Sequence, residues 1–184
     1  DIGGGSLELS TGTEESPDLA VSLDLGAGRL THQWFDTDPP ERKKINMLRD
    51  FIDAELAPAA EEFKAMGQAG LAVGTSKTFR SLARLTGAAP SSAGPHVKRT
   101  LTAAGLRQLI AFISRMTAAD RAELEGINAD RSHQIVAGAL VAEAAMRALS
   151  LDKLEICPWA LREGVILKWI DQGHAPGMNE GEDD

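Results

Sequence analysis

Three consecutive glycines, Gly3-Gly4-Gly5, stand directly ahead of two stretches of strict two-residue alternation. Leu7, Leu9 and Thr11 alternate with Glu8 and Ser10. Leu19, Val21, Leu23 and Leu25 alternate with Ala20, Ser22 and Asp24. Period two with polar alternates describes strands that bury one face only. A glycine turn ahead of the first strand and a loop over 12–17 between the two predict a meander of antiparallel strands. The rest of the chain must pack against that half-covered layer.

Beyond residue 38 the pattern alternates between helix and strand. Pro39-Pro40 breaks the chain. Ile45, Leu48, Ile52, Leu56 and Phe63 then form a helical stripe over 41–64, with Pro58 as a kink or boundary. Leu71-Ala72-Val73, flanked by Gly70 and Gly74, predicts a short buried strand, and a helix over 78–85 ends at Gly87. Thr102 caps an amphipathic helix carrying Leu106, Leu109, Ile110, Ile113 and Met116 on one face. Thr117 starts another, with Asp120 at the capping-box position, and Gly126 stops it. The longest helix is expected over 130–149, buried because it is nearly apolar from Ile135 to Ala142. Leu154, Ile156 and Cys157 suggest one more short strand, and a helix over 161–170 closes the pattern. Strands first, then alternating helices and short strands, indicate an α/β layered domain. It is not a simple doubly wound sheet, because its opening strands read as antiparallel.

Charge narrows the partners. The 19 basic and 27 acidic side chains give a net charge of −8. Residues 171–184 hold five acids and no Lys or Arg; without them 22 acids face 19 bases, a net charge of −3. This Gly-, Pro- and acid-rich segment has too little apolar surface to offset its ordering entropy and is expected to be a disordered tail. The balance argues against a general nucleic-acid binder, which needs a basic surface to neutralise phosphates. A single cysteine excludes a disulfide framework and fits a reducing compartment, hence the cytoplasm. No apolar run approaches the roughly 20 residues of a membrane span, so no membrane partner is expected.

Three stretches can carry chemistry. In the first, Gly3, Gly4 and Gly5 remove every Cβ, so backbone N–H groups can approach an anion closely, and Ser6 adds a hydroxyl. Asp1 and Glu8 flank the turn; on a hairpin both carboxylates would face one phosphate-sized cavity. Carboxylates do not bind phosphate directly, but they hold Mg²⁺, which does, or orient an attacking water. The plain alternative is a glycine hairpin with solvated acids. In the second stretch, Gly74-Thr75-Ser76-Lys77-Thr78 joins a strand to a helix, a turn that directs free N–H groups at a ligand. Ser76 before Lys77, where a Walker A loop has glycine, excludes that loop. Lys77, Arg80 and Arg84 share one helix face, with Lys98 and Arg99 nearby, as either a polyanion track or a solvated basic face. In the third, Gly126-Ile127-Asn128-Ala129-Asp130-Arg131, Asn128 or Asp130 can cap the helix. Arg131 sits where the helix dipole disfavours a cation unless it shares an anion or pairs with Asp130 or Glu125. His32, His96, His133 and His174 lack metal-ligand spacing. Trp34, Trp159 and Trp169 read as core, and Cys157 as a buried structural thiol.

Together with Ala160-Leu161-Arg162-Glu163-Gly164-Val165, these stretches occur in an order that resembles the exopolyphosphatase/guanosine pentaphosphate phosphatase (Ppx/GppA) family, over residues 1 to about 169. Residues 74–95 look especially like mycobacterial-type members. The resemblance implies a ribonuclease-H-like lobe of the acetate and sugar kinase/Hsc70/actin superfamily. Residues 1–170 would be the second of two lobes, within a longer protein whose motif Asp1 interrupts. It implies Mg²⁺-assisted hydrolysis of the terminal phosphoanhydride of polyphosphate. Asp1 and Glu8 match the family's metal-holding, water-placing acids. Gly3 and Ser6 match phosphate contacts, as does Arg131; Gly4, Gly5, Gly74, Thr75, Ser76 and Lys77 complete the expected phosphate-binding set. The catalytic base would be a glutamate upstream of Asp1, leaving the lobe alone inactive or nearly so. Members commonly pair as homodimers. Many have a second glycine pair where this chain has Ser76-Lys77, so a charge contact could replace close backbone approach. Guanosine pentaphosphate as substrate, or a non-catalytic polyphosphate or guanosine tetraphosphate sensor, are the alternatives.

Overall fold

The computed structural model describes residues 1–159 and 161–171. The expected tail over 171–184 lies outside them, apart from residue 171, which ends the last helix.

The opening strands form as the alternation requires. β1 (Leu7–Thr11) and β2 (Leu19–Leu23) pair antiparallel, with Leu7 opposite Leu23, Leu9 opposite Val21 and Thr11 opposite Leu19. Opposed residues of an antiparallel pair share a face, so the apolar set lines one side.

A helix absent from the sequence reading comes immediately after them. α1 (Ala27–Trp34) is eight residues long, contains glycine and lacks a side-chain cap. Intrinsic propensity would not hold it. Its first amides are satisfied by the glycine turn instead, Ala27 N donating to Gly3 O at 3.0 Å and Arg29 N to Gly4 O at 2.9 Å.

α2 (Arg42–Ala65) runs 24 residues straight through Pro58, where the sequence suggested a kink or boundary. An interior proline costs about 3 kcal/mol. Leu48, Ile52 and Leu56 before it, and Ala59, Ala60 and Phe63 after it, are buried on one continuous stripe that outweighs that cost.

β3 (Val73–Gly74), β4 (Thr100–Thr102) and β5 (Lys153–Ile156) form a second sheet ordered β3-β5-β4. β3 runs parallel to β5, and β4 antiparallel to it. Sequence pattern missed β4, a three-residue strand merging directly into its successor. α3 (Lys77–Leu85) and α4 (Ala103–Ile113) start at Ser76 and Thr102, whose side chains accept from Phe79 N and Gly105 N. α5 (Ala118–Ala122) carries the full Thr117/Asp120 capping box. Replacing Thr117 with alanine is expected to cost about 1 kcal/mol, visible as a lowered urea midpoint at unchanged slope.

At the centre lies α6 (Ile135–Ala148), with twelve of its fourteen residues buried and α1, α2, α3 and α4 packed around it. It begins five residues later than the sequence suggested, and α2 is longer. Asn128 accepts from Asp130 N at 2.9 Å and Ser132 Oγ donates to Ala129 O, closing a separate 3₁₀ turn over Ala129–Arg131. Buried Glu143 on α6 accepts from Arg49 of α2 and from Arg147, which also reaches Asp53 at 2.5 Å. Every ion in that group has a partner, as burial demands.

Arg121 is a second buried ion, 1% exposed. Its guanidinium donates to Ser132 O, Ile113 O, Met116 O and Asp38 Oδ1 at 2.7–3.2 Å. Asp38 also accepts from Ala118 N at 2.6 Å. Burial lowers the Arg121 pKa, and Asp38 opposes that shift. A single side chain thus ties the end of α4, the start of α5 and the chain leading into α6.

α7 (Leu161–Asp171) closes the described chain. Among the described residues no helix is long and apolar enough to cross a membrane. The tryptophans divide: Trp34 packs on Phe51 with ring centroids 5.1 Å apart, whereas Trp159 and Trp169 are about half exposed, not core. Cys157 is half-buried rather than buried. His32, His96 and His133 are exposed, and His174 lies outside the described residues.

Candidate active site

The site grows from the glycine turn. Asp1 N donates to Glu8 O and Glu8 N to Asp1 O, both at 2.9 Å, and Gly3 N donates to Ser6 O at 2.9 Å. Between them Ile2 bridges Leu7, and both of these side chains lie in the core. The turn is therefore a hairpin, and Asp1 and Glu8, directly opposed, share its outer face. Both are exposed.

The trans peptide geometry decides which way the turn's dipoles point. A peptide's N–H and C=O are antiparallel. Gly3 O and Gly4 O are held by the first amides of α1. The N–H groups of Gly4 and Gly5, in the same two peptides, point the opposite way. Among the described residues these amides and that of Ser6 have no hydrogen-bond partner. Three free donors on one turn make a nest for an anion.

The carboxylates are oriented by hydroxyls. Ser6 Oγ donates to Glu8 Oε1, and Ser22 Oγ of β2 lies 3.5 Å from the same oxygen. Thr75 Oγ1 donates to Asp1 Oδ2 at 2.8 Å. The other oxygen of each carboxylate has no partner among the described residues. Mg²⁺ is commonly held by one or two carboxylates, with water and phosphate oxygens in its remaining positions. Two adjacent, exposed, half-engaged carboxylates fit that requirement. Among the described residues no group of three or more His, Cys, Asp or Glu is arranged to hold a metal. Protein ligands alone would therefore supply a minority of the coordination.

The second stretch meets the first directly. Thr78 Oγ1 in the first turn of α3 donates to Ile2 O at 3.0 Å, and Thr75, just ahead of the helix cap, holds the side chain of Asp1. Gly74 O accepts from Cys157 N, and a Cβ on Gly74 would lie 2.8 Å from the Phe79 ring. Ser76 is buried and occupied as the helix cap, accepting from Phe79 N at 3.2 Å. Lys77 is exposed at the first position of α3.

The basic track does not exist as one surface. Arg80 donates to Pro158 O at 3.2 Å, and Arg84 to Ala88 O at 3.0 Å and Glu125 at 2.6 Å. That pairing holds the Glu125 carboxyl below its usual pKa. Lys98 pairs with Glu155, and Arg99 donates to the carbonyls of Ala89, Pro90, Gly94 and Val97, pinning the loop over 88–95. Of this set, Lys77 alone has neither an ion-pair nor a side-chain hydrogen-bond partner among the described residues.

The third stretch returns to Lys77. Glu125 is taken by Arg84, and Arg131 pairs with neither it nor Asp130. Arg131 is exposed, with no side-chain partner among the described residues. Lys77, Thr78, Ser81, Asn128, Arg131 and Gln134 line one cleft, together with Ala27 and the apolar Ile127 and Ile135. Ala27 and Thr78 are also the residues that hold Gly3 O and Ile2 O. The cleft therefore abuts the glycine hairpin. It contains two unpaired cations and no carboxylate. Of the fourth stretch, Ala160 lies outside the described residues, and 161–165 open α7.

Sequence reasoning missed Gly26. A Cβ there would lie 2.2 Å from Gly5 C and 2.3 Å from Ser6 N, so the chain entering α1 lies directly on the turn. At Gly28 a Cβ would meet Gln134 Oε1 at 2.7 Å and Gly4 O at 3.2 Å. The available signal was Gly26-Ala27-Gly28 directly after a strand, a pattern for close backbone approach. Arg121 was missed too; through Ser132 O it anchors the segment that carries Arg131.

Comparison with known proteins supplies the rest. The Ppx/GppA phosphatase family matches residues 1–173. Exopolyphosphatase 1 of Mycobacterium tuberculosis is 70% identical over 171 residues, covering 93% of this chain and 50% of that protein. Exopolyphosphatase 1 of Mycobacterium leprae is 67% identical over the same coverage. The chain spans about half the length of the curated relatives it matches. Among solved structures, the Aquifex aeolicus Ppx/GppA family member has a TM-score of 0.80 at 22% identity, covering 95% of this chain and 56% of that one. An exopolyphosphatase from Cytophaga hutchinsonii has a TM-score of 0.79 at 21% identity, covering 93% and 55%. These structural matches show a shared fold, the actin-like α/β fold that the family resemblance implied.

Proposed function

Because this chain belongs to the Ppx/GppA phosphatase family, we propose that it is the second lobe of an exopolyphosphatase, which releases phosphate from the end of inorganic polyphosphate. The observation that carries the reading is the pair of unpaired cations, Lys77 and Arg131, that flank a small crevice beside the glycine hairpin with no carboxylate among its lining residues. Two unpaired cations with no acid lining the crevice between them attract a polyanion even on a chain of net charge −8. The name of the mycobacterial relatives agrees with it.

In this reading the terminal phosphoryl group rests on the amides of Gly4, Gly5 and Ser6. Arg131 and Lys77 bind the phosphate oxygens behind it, the guanidinium through paired N–H donors and the ammonium as a point charge. Ser76 supports the same turn as the cap of α3, and Gly74 lets Phe79 pack beneath it. Asp1 and Glu8 hold Mg²⁺, which when bound neutralises phosphate charge and lowers the pKa of water. The same two carboxylates accept hydrogen bonds from the attacking water and fix its approach. Water's oxygen bonds to the terminal phosphorus as the bridging P–O bond breaks, giving orthophosphate and a chain one unit shorter. The proton leaves to a general base expected on the other lobe. The protein acts in the cytoplasm, as a homodimer.

The test is phosphate release by the full-length protein from long-chain polyphosphate and from guanosine pentaphosphate. Polyphosphate is expected to turn over faster. Preferred turnover of guanosine pentaphosphate would reassign the substrate, and tight calorimetric binding without turnover would make the protein a sensor. Arg131→Ala is expected to raise the KM for polyphosphate by roughly 10- to 100-fold, the loss of one charge-assisted hydrogen-bonding partner. An unchanged KM would remove Arg131 from the site.

A further inference from the structure

Thr75 belongs to the turn at the start of α3, among backbone amides suited to phosphate, yet its hydroxyl is already committed. Thr75 Oγ1 donates to Asp1 Oδ2 at 2.8 Å, across 74 residues of sequence. A hydroxyl has one proton to donate, and this one goes to a carboxylate. Thr78, one helical turn on, donates to Ile2 O at 3.0 Å and is buried. The two threonines fix neighbouring points of the hairpin: Thr78 fixes the backbone of Ile2, and Thr75 the carboxylate of Asp1. Glu8, opposite, has the same arrangement from its own sheet, with Ser6 and Ser22 on Oε1.

An exposed aspartate samples several rotamers about χ1 and χ2, and ordering it has an entropic cost. A donor from a separate, capped element removes most of that freedom before any ligand arrives. It also leaves Asp1 Oδ1 without a partner among the described residues. Outer hydrogen bonds of this kind orient a metal's ligands, and losing one typically weakens metal affinity or activity 10- to 100-fold.

We propose that Thr75 is a positioning residue for Asp1, holding its carboxylate ready for the divalent cation, and does not contact substrate phosphate. This rests on the reading of Asp1 as a metal-holding acid. The test uses the full-length protein as wild type, Thr75→Val and Thr75→Ser. Thr75→Val is nearly isosteric and removes the donor; Thr75→Ser restores it. Mn²⁺ binding is followed by electron paramagnetic resonance, and kcat and KM for polyphosphate are measured at varied Mg²⁺. Thr75→Val is expected to weaken Mn²⁺ binding about tenfold and raise the Mg²⁺ activation midpoint similarly, with KM for polyphosphate unchanged at saturating Mg²⁺. Thr75→Ser should return both to near wild type. Unchanged Mn²⁺ affinity in Thr75→Val, a raised KM for polyphosphate as the main effect, or no Mn²⁺ binding by the wild type overturns the proposal. A wild type that binds Mn²⁺ but leaves polyphosphate intact would sink the proposed activity instead, while the Mn²⁺ titration of the variants still decides the role of Thr75.

Discussion

Gly26→Ala is expected to destabilise the protein by about 3 kcal/mol and to reduce phosphate release at least 100-fold. The added Cβ would lie 2.2–2.4 Å from Gly5 N, Gly5 C and Ser6 N, all main-chain atoms. No rotamer change relieves such a contact; the turn or the chain entering α1 must move. Overpacking of this kind typically costs 1–3 kcal/mol, occasionally more. The functional loss should be larger, because the shifted atoms are those of the proposed anion nest, and a displacement of about 1 Å at a reacting centre can cost 100-fold. Urea unfolding and phosphate release measure the two effects. Gly70→Ala, where a Cβ meets open space and the backbone φ is ordinary, serves as the control and should match wild type. Wild-type activity in Gly26→Ala would show that the turn does not hold the phosphoryl group.

The second large effect concerns the paired acids. Asp1→Asn and Glu8→Gln in the full-length protein should each lower kcat about 100- to 10,000-fold, within the range of losing a metal-holding or water-orienting group. Both side chains are exposed, and the amides preserve their shape, so stability should change little. In the proposed reading the two acids serve one ion and one water, and groups that act as a unit do not contribute independently. The double variant should therefore fall well short of the product of the two single losses. Single-turnover phosphate release at saturating Mg²⁺ is the measurement. Retained kcat in either variant would remove that residue from the chemistry.

How much of this was legible depends on how far apart the interacting residues lie. The hairpin around Gly3–Gly5 was readable because its cause is local: glycines, then alternation, then opposed acids. The caps at Thr102 and Thr117 were readable for the same reason. α1 was not, because its N-terminus is satisfied by Gly3 O and Gly4 O, more than 20 residues earlier. The continuity of α2 through Pro58 depends on burial against other elements, which no local propensity reports. The basic stripe over Lys77, Arg80 and Arg84 misled for a related reason. Periodicity places cations on one face, but the carbonyl of Pro158 and the carboxylate of Glu125 that engage two of them come from distant segments. Of the candidate site's cations, the two without a partner among the described residues are Lys77 and Arg131. Lys77 reads from sequence as part of that stripe and as standing where many family members have glycine, and Arg131 as an unfavourable placement at a helix start. That the two share a cleft is a tertiary fact. Gly26 left only a faint trace, since its constraint is the backbone of residues 5 and 6 pressed against it.

The capture of Gly3 O and Gly4 O by α1 has a consequence for how such a site can diverge. The preference for negative ligands proposed for the turn is written in the orientation of two peptide planes, not in any side chain. Substitutions within the turn can change its size or its flanking groups, but they cannot reverse its polarity while α1 holds those carbonyls. A descendant that bound a cation there would first have to lose or re-aim a neighbouring helix that also packs on the central one. The ligand's sign is thus inherited with the fold, whereas the acids, the threonine hydroxyl and Lys77 remain open to change one residue at a time.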